Sequence, residues 1–136
     1  MDPAQTTRMS RALKAVSDEN RIRILEVLVR GEHCVSDLVH ELSIDQPKVS
    51  HHLAILRSAG IIRSRREGRH INYSIRPSVY RRQDTADGLR DVFDLGELTV
   101  TFRFRDQRAR AEAQAEPAVD ESAGRNGSEG TLESGA

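Results

Sequence analysis

The sequence predicts a mainly α domain with a small β-hairpin and one further C-terminal strand. Three observations carry this. Apolar residues recur at three- and four-residue spacing from Met9 to Leu56. Gly60 and Gly68 then punctuate two short segments, the second with Ile71, Tyr73 and Ile75 in alternation. Residues 97–105 alternate throughout, with Leu98, Val100, Phe102 and Phe104 on one face and Glu97, Thr99, Thr101, Arg103 and Arg105 on the other.

The first helix is expected over 6–16, with Met9, Ala12, Leu13 and Val16 on one face. Asp18 can cap a second helix, about 19–30, because its carboxylate accepts from the unpaired first-turn amides. Ile22, Ile24, Leu25, Val27, Leu28 and Val29 cover most of that helix's circumference, so it should be the central one. Gly31 is placed to end it in the left-handed conformation. A third helix, 35–42, follows Cys34, a poor cap, with Asp37 at the capping-box position. Ser43-Ile44-Asp45 breaks the chain. A fourth helix, 46–59, takes Asp45 as cap and Pro47 in its first turn, where a missing N–H costs little. Its apolar stripe is Val49, Leu53, Ile55 and Leu56, and Gly60 stops it. The hairpin comes next: 61–66, a turn at Glu67-Gly68, then 70–75. Residues 77–96 are weakly patterned and read as a turn of helix near 77–82 followed by loop.

Composition sets the limits of the folded part. Apolar residues are 37% and aromatics 4% of 136 residues, so the core is small or part of the chain lies outside it. Residues 117–136 are rich in Gly, Ser, Ala and Glu and read as disordered; residues 106–116 favour helix but carry no apolar stripe. The organisation expected is therefore a folded domain over 1–105 and a disordered or fraying acidic tail over 106–136. No apolar run approaches the roughly 18 residues that a membrane span requires, and the first residues lack a signal-peptide core. A single cysteine, Cys34, rules out an internal disulfide framework and fits a reducing compartment. The expected location is cytoplasmic, with no membrane partner.

The zero net charge hides a segregation. Residues 46–82 hold nine Lys and Arg against one acidic residue, Glu67. Such a basic stretch favours a polyanion partner. Helices over 35–42 and 46–59, joined by three residues, make a helix-turn-helix, and the hairpin after them makes it a winged one. The first turns of the second helix of such a motif reach base edges in the major groove. Here they carry Gln46, Lys48, Ser50, His51 and His52. Gln pairs with adenine, Lys with guanine, and Ser with base or phosphate. Adjacent helix residues do not share a face, so one of the two histidines faces DNA, taken as His51, and the other packs. Arg63, Arg65, Arg66 and Arg69 on the hairpin, with His70, are placed to meet phosphates or the minor groove. The expected partner is double-stranded DNA. Two rival readings stay beside this one: a winged-helix module for protein contacts, and a metal-responsive sensor of nickel or zinc type. An enzyme is not expected, since no nucleophile–base pair, phosphate-cradling Gly loop or paired apolar carboxylates occur.

The segment Leu13–Ile75 resembles the ArsR/SmtB family of winged-helix repressors. The resemblance rests on SDENRIRIL, on Gln46-Pro47-Lys48-Val49-Ser50-His51-His52-Leu53, and on Leu56-Arg57-Ser58-Ala59-Gly60-Ile61-Ile62. It implies a homodimeric repressor that sits on an operator and leaves it when a metal or other signal binds. By the same analogy Gln46, Lys48, Ser50 and His51 face DNA, while Val49, Leu53 and Leu56 hold the helix on its core. Dimerisation is expected through the first helix and the strand Glu97–Arg105, in place of the family's last helix.

The signal site departs from the family pattern. Members that sense arsenic- or cadmium-type ions resemble E-L-C-V-C-D-L, where this chain has Glu32-His33-Cys34-Val35-Ser36-Asp37-Leu38. One thiolate is kept and the second is Ser36. Soft ions want at least two or three thiolates. The family's other metal site needs Asp/His pairs on a C-terminal helix, and residues 77–96 contain no His. For a divalent ion, the weak candidates are His33, Cys34, Asp37 and His40, with Glu41 beside them. The favoured reading is that these form a cap and a solvated face, with no cofactor assigned.

Overall fold

A computed structural model describes residues 1–104. Its elements run α1 Pro3–Ala15, α2 Glu19–Leu28, β1 His33–Cys34, α3 Val35–Leu42, α4 Gln46–Ser58, β2 Ile62–Glu67, β3 His70–Ile75, β4 Tyr80–Thr85, β5 Gly88–Asp94 and β6 Thr99–Phe102. The strands form two antiparallel three-stranded sheets, ordered β1-β3-β2 and β4-β5-β6. The expected tail, 106–136, lies outside the described residues.

The four helices form where the apolar spacing places them. α1 starts earlier than expected because Asp2 and Gln5 make a reciprocal capping box: the Gln5 amide donates to Asp2 Oδ1 at 2.8 Å and the Asp2 amide to Gln5 Oε1 at 2.7 Å. Its inward face is Ala12 and Ala15, with Val16 following, while Leu13, expected inside, is 47% exposed. α2 is capped by Asp18, which accepts from the Arg21 amide at 3.1 Å. It is the central helix, with Ile24, Leu25, Val27 and Leu28 buried. Gly31 has φ +143°, an extended positive-φ conformation instead of the expected left-handed turn. The C-terminus of α3 is held to α2, since Arg23 Nη2 donates to the Leu42 carbonyl at 2.8 Å. Leu38 and Leu42 of α3, Val49, Leu53 and Leu56 of α4, and Ile61, Ile62 and Ile75 of the hairpin complete this core.

The β content corrects the mainly α expectation. The stretch 77–96, read as helical turn and loop, is a hairpin: β4 pairs β5 from Tyr80↔Phe93 to Thr85↔Gly88, and β5 pairs β6 from Asp91↔Phe102 to Asp94↔Thr99. The alternating C-terminal strand exists but is shorter than 97–105. By the period-2 rule, Tyr80, Arg82, Asp91, Phe93, Val100 and Phe102 share one face of this sheet. Phe93 is fully buried and meets Phe102 edge-on, with ring centroids 5.5 Å apart. Asp91 is buried beside it. The Tyr80 hydroxyl donates to its Oδ1, and Arg82 Nη2 lies 3.7 Å away, so the carboxylate is paired. Burial, and then the bond to Asp91, push the Tyr80 hydroxyl up to about 12.

Candidate nucleic-acid interface

The second helix of the motif divides cleanly between core and solvent. Val49, His52, Leu53 and Leu56 are buried, whereas Gln46, Lys48, Ser50 and His51 are exposed. The two adjacent histidines separate as helix geometry requires: His51 faces solvent and His52 packs inward. Ile55, expected in the stripe, is only half-buried. Asp45 occupies the cap position by its backbone, accepting from the Val49 amide at 3.1 Å, but its side chain caps nothing. Its Oδ1 instead lies 3.8 Å from Lys48 Nζ. The first turn of α4 therefore presents amides without a side-chain acceptor, at the positive end of the helix dipole.

The wing is a two-residue hairpin. Glu67 pairs with His70, so the turn residues are Gly68 and Arg69, one step later than expected. Gly68 has φ +62° and Arg69 is not among the positive-φ residues. This matches a type II′ turn, in which glycine is favoured at the first central position. Cross-strand register sorts the arginines. Ser64 and Arg66 share a face with Tyr73, Ile71, Ile62 and Ile75, and that face looks toward α4, since Arg57 Nη1 donates to Ser64 Oγ at 2.9 Å. Arg63 and Arg65 lie on the opposite face. Arg65 is engaged there: it donates to Glu32 through Nη2 at 2.6 Å and Nε at 3.3 Å, with Glu67 3.6 Å away. The Arg65 hydrogen bond holds the Glu32 carboxyl below its ordinary range.

Four of the expected residues and neighbours meet in one place. Gln46 and Ser50 from α4 and Arg69 and His70 from the wing line a cleft of about 470 Å³, floored by Val39, Ile71 and Tyr73. The structure thus brings the helix start and the wing tip together and sets Arg63 and Arg65 apart. Sequence reading missed three supporting contacts: Arg57 to Ser64, Glu32 to Arg65, and Arg21 to His52. Each joins residues distant in the chain or on separate elements, so no local pattern announces it.

Arg21 links three elements, α1, α2 and α4. Its Nε donates to the Ala15 carbonyl at 2.7 Å and its Nη2 to the Lys14 carbonyl at 3.1 Å, closing the end of α1. Its Nη1 sits 3.0 Å from His52 Nδ1 on α4. Asp18 Oδ2 is 3.8 Å from the same nitrogen. Partial burial raises the Asp18 carboxyl, but the Arg21 amide, the Arg21 guanidinium and His52 outweigh it and leave it lowered.

The weak metal candidates divide between two clefts. His33, Asp37 and His40 line one cleft with Glu32, Ser36 and Glu41, while Cys34 lines the cleft beside α4 along with Ser36. Strand β1, unexpected from sequence, holds His33 and Cys34 against Tyr73 and Asn72. Cys34 is half-buried, and its Sγ lies 3.2 Å from Ser36 Oγ. Asp37 accepts from the Cys34 amide at 3.1 Å, as the capping-box position implied, and this bond lowers its carboxyl. Glu41 pairs with Arg30. Among the described residues no group of three or more His, Cys, Asp or Glu side chains is arranged to hold a metal ion.

Comparison with known proteins agrees with this geometry. Residues 18–64 match the bacterial regulatory protein, arsR family. The transcriptional repressor SdpR of Bacillus subtilis is 34% identical over 89 residues, covering 65% of this chain and 97% of SdpR. The chain belongs to the arsR family of bacterial regulatory proteins. The arsenic resistance transcriptional regulator ArsR1 of Pseudomonas putida is 45% identical over 67 residues, 48% of this chain and 52% of that protein. The chain thus spans about half the length of that relative. Among solved structures, the homodimeric winged helix-turn-helix DNA-binding domain of a possible ArsR-family transcriptional regulator from Mycobacterium bovis superposes with TM-score 0.51. It is 30% identical and covers 53% of this chain and 67% of that one. The winged helix-turn-helix is common to both. No described helix is long and apolar enough to cross a membrane.

Proposed function

We propose that this chain is a sequence-specific DNA-binding transcriptional regulator that acts in the cytoplasm as a homodimeric repressor. One observation carries the reading. The exposed start of α4 and the basic wing tip border the same cleft, so a duplex seated on Gln46 and Ser50 also meets Arg69. Gln46, Lys48, Ser50 and His51 read base edges, and Arg66 and Arg69 hold the flanking phosphates or minor groove. Arg63 and Arg65 lie on the far wing face and serve the outer phosphate path. Leu13 supports a dimer through α1, since it is an apolar side chain left 47% exposed beside half-buried Met9. The folded domain is taken as 1–105 and the tail as 106–136.

Release from DNA by arsenite is not expected. Cys34 is the one cysteine of the sequence, and a soft-ion site wants two or three thiolates.

The test is selection of a duplex from a random pool, followed by titration of selected and random duplex over a salt series. Several Arg–phosphate contacts predict an affinity that falls steeply with salt, with the selected duplex bound at least about 1,000-fold more tightly than random sequence. Salt-independent binding, or no preference between the duplexes, would overturn the proposal.

A further inference from the structure

His52 is the buried imidazole of α4, 9% exposed, on the side of the helix away from solvent-facing His51. Its Nδ1 faces Arg21 Nη1 at 3.0 Å. A guanidinium carries only donors and does not lose its proton in proteins. His52 Nδ1 must therefore accept, which places the ring proton of neutral His52 on Nε2. The other two bonds of Arg21 go to the carbonyls of Ala15 and Lys14. One side chain thus ties the end of α1 to the middle of α4, one turn from Lys48 and next to His51.

We propose that Arg21 and His52 are positioning residues that form a proton-sensitive latch on α4. Neutral His52 holds the helix in register with α1, and protonation at Nδ1 opens the latch by setting donor against donor. The inference rests on the DNA-binding reading above and deepens it. The groups around the imidazole are Asp18, Arg21, His51 and Lys48. Burial comes first in disfavouring the charged ring, and Arg21, His51 and Lys48 add to it; Asp18 acts in the opposite sense, and the balance lowers His52 below its ordinary value. The sign follows: the latch is closed at neutral pH and opens as pH falls below the usual histidine range. The general rise in positive charge as pH falls strengthens binding to any duplex. The ratio of selected to random affinity therefore reports the latch, and bare affinity does not.

The experiment measures that ratio for wild type and His52→Asn between about pH 8 and about pH 5.5. Asn offers an uncharged acceptor near the position of Nδ1. Wild type should lose about tenfold or more of its preference at the acid end, and His52→Asn should keep its own within about threefold. The same acid loss in both proteins would overturn the inference while leaving the DNA-binding reading intact. Failure to select any duplex at the alkaline end would instead strike that reading. Should His52→Asn fail to fold, NMR of wild type decides. The Arg21 Nε–H resonance should move with the His52 titration, at a midpoint below the usual histidine range. An Arg21 resonance that ignores His52 would overturn the latch.

Discussion

Arginines 65 and 66 are neighbours in β2, yet their removal should act differently on DNA binding. Each lost phosphate contact lowers the slope of log affinity against log salt by about 0.9 per protomer, or about 1.8 for a dimer. Between about 50 and 200 mM salt that is a factor of about 3.5 per contact. Arg66 is exposed on the α4-facing side of the wing, with Ser64 and Tyr73, and should carry a full contact. Arg65 is on the other face and donates twice to Glu32. To reach a phosphate it must first leave that carboxylate. Arg66→Ala should therefore shallow the slope by the full amount, and Arg65→Ala by less than about half of it. Glu32→Gln removes the competing carboxylate and should steepen the slope by as much as one contact. Fluorescence anisotropy on a random duplex across a salt series measures all three. Equal loss in Arg65→Ala and Arg66→Ala, with no change in Glu32→Gln, would refute the division of the wing into two faces.

Three further outcomes are expected. Asp18→Ala should cost about 1 kcal/mol in chemical denaturation, while Asp45→Ala should stay within about 0.5 kcal/mol, because only Asp18 caps its helix through the side chain. Tyr80→Phe leaves buried Asp91 without its hydroxyl donor and should destabilise the protein by about 1–3 kcal/mol; a neutral result would mean that Arg82 or solvent satisfies the carboxylate. Cys34→Ser should leave operator affinity within about twofold, since a hydroxyl can replace the polar contacts of the thiol with Ser36 and Asp37, and arsenite should release neither protein. Release of wild type alone by arsenite would show that two chains bring their thiolates together.

The helical half was legible because its signals are local. Asp18, Ser43 and Gly60 mark element ends, and the spacing of Leu38, Leu42, Val49, Leu53 and Leu56 places α3 and α4 within a residue or two of where they lie. The division of His51 from His52 followed from helix geometry. Residues 77–96 were missed for physical reasons. β4 is polar on both faces, with Arg81, Arg82, Gln83 and Asp84 all exposed. β5 buries a charge, Asp91, between Arg90 and the apolar pair Val92-Phe93, and Tyr80 and Arg82 on the partner strand make that tolerable. Asp87-Gly88 at the turn, between β-favouring Val79-Tyr80 and Val92-Phe93, was the available signal. The two-residue β1 is too short to show a period at all. In the interface, the exposed residues could be read from sequence, but the pairing of Arg65 with Glu32 needs the fold to bring them together.

The claim that α4 reads sequence is tested most directly by Lys48→Ala. Lys48 is exposed in the first turn, and its ion pair with Asp45 is loose and exposed at 3.8 Å. Binding of wild type and variant should be compared across every single-base-pair change of the selected duplex. Loss of one base contact predicts that discrimination falls by about 1–3 kcal/mol at one base pair per half-site and persists elsewhere. Uniform weakening at every position, with the preference at each base pair unchanged, would show that Lys48 meets only phosphate and would contradict the assignment of α4 as the reading helix.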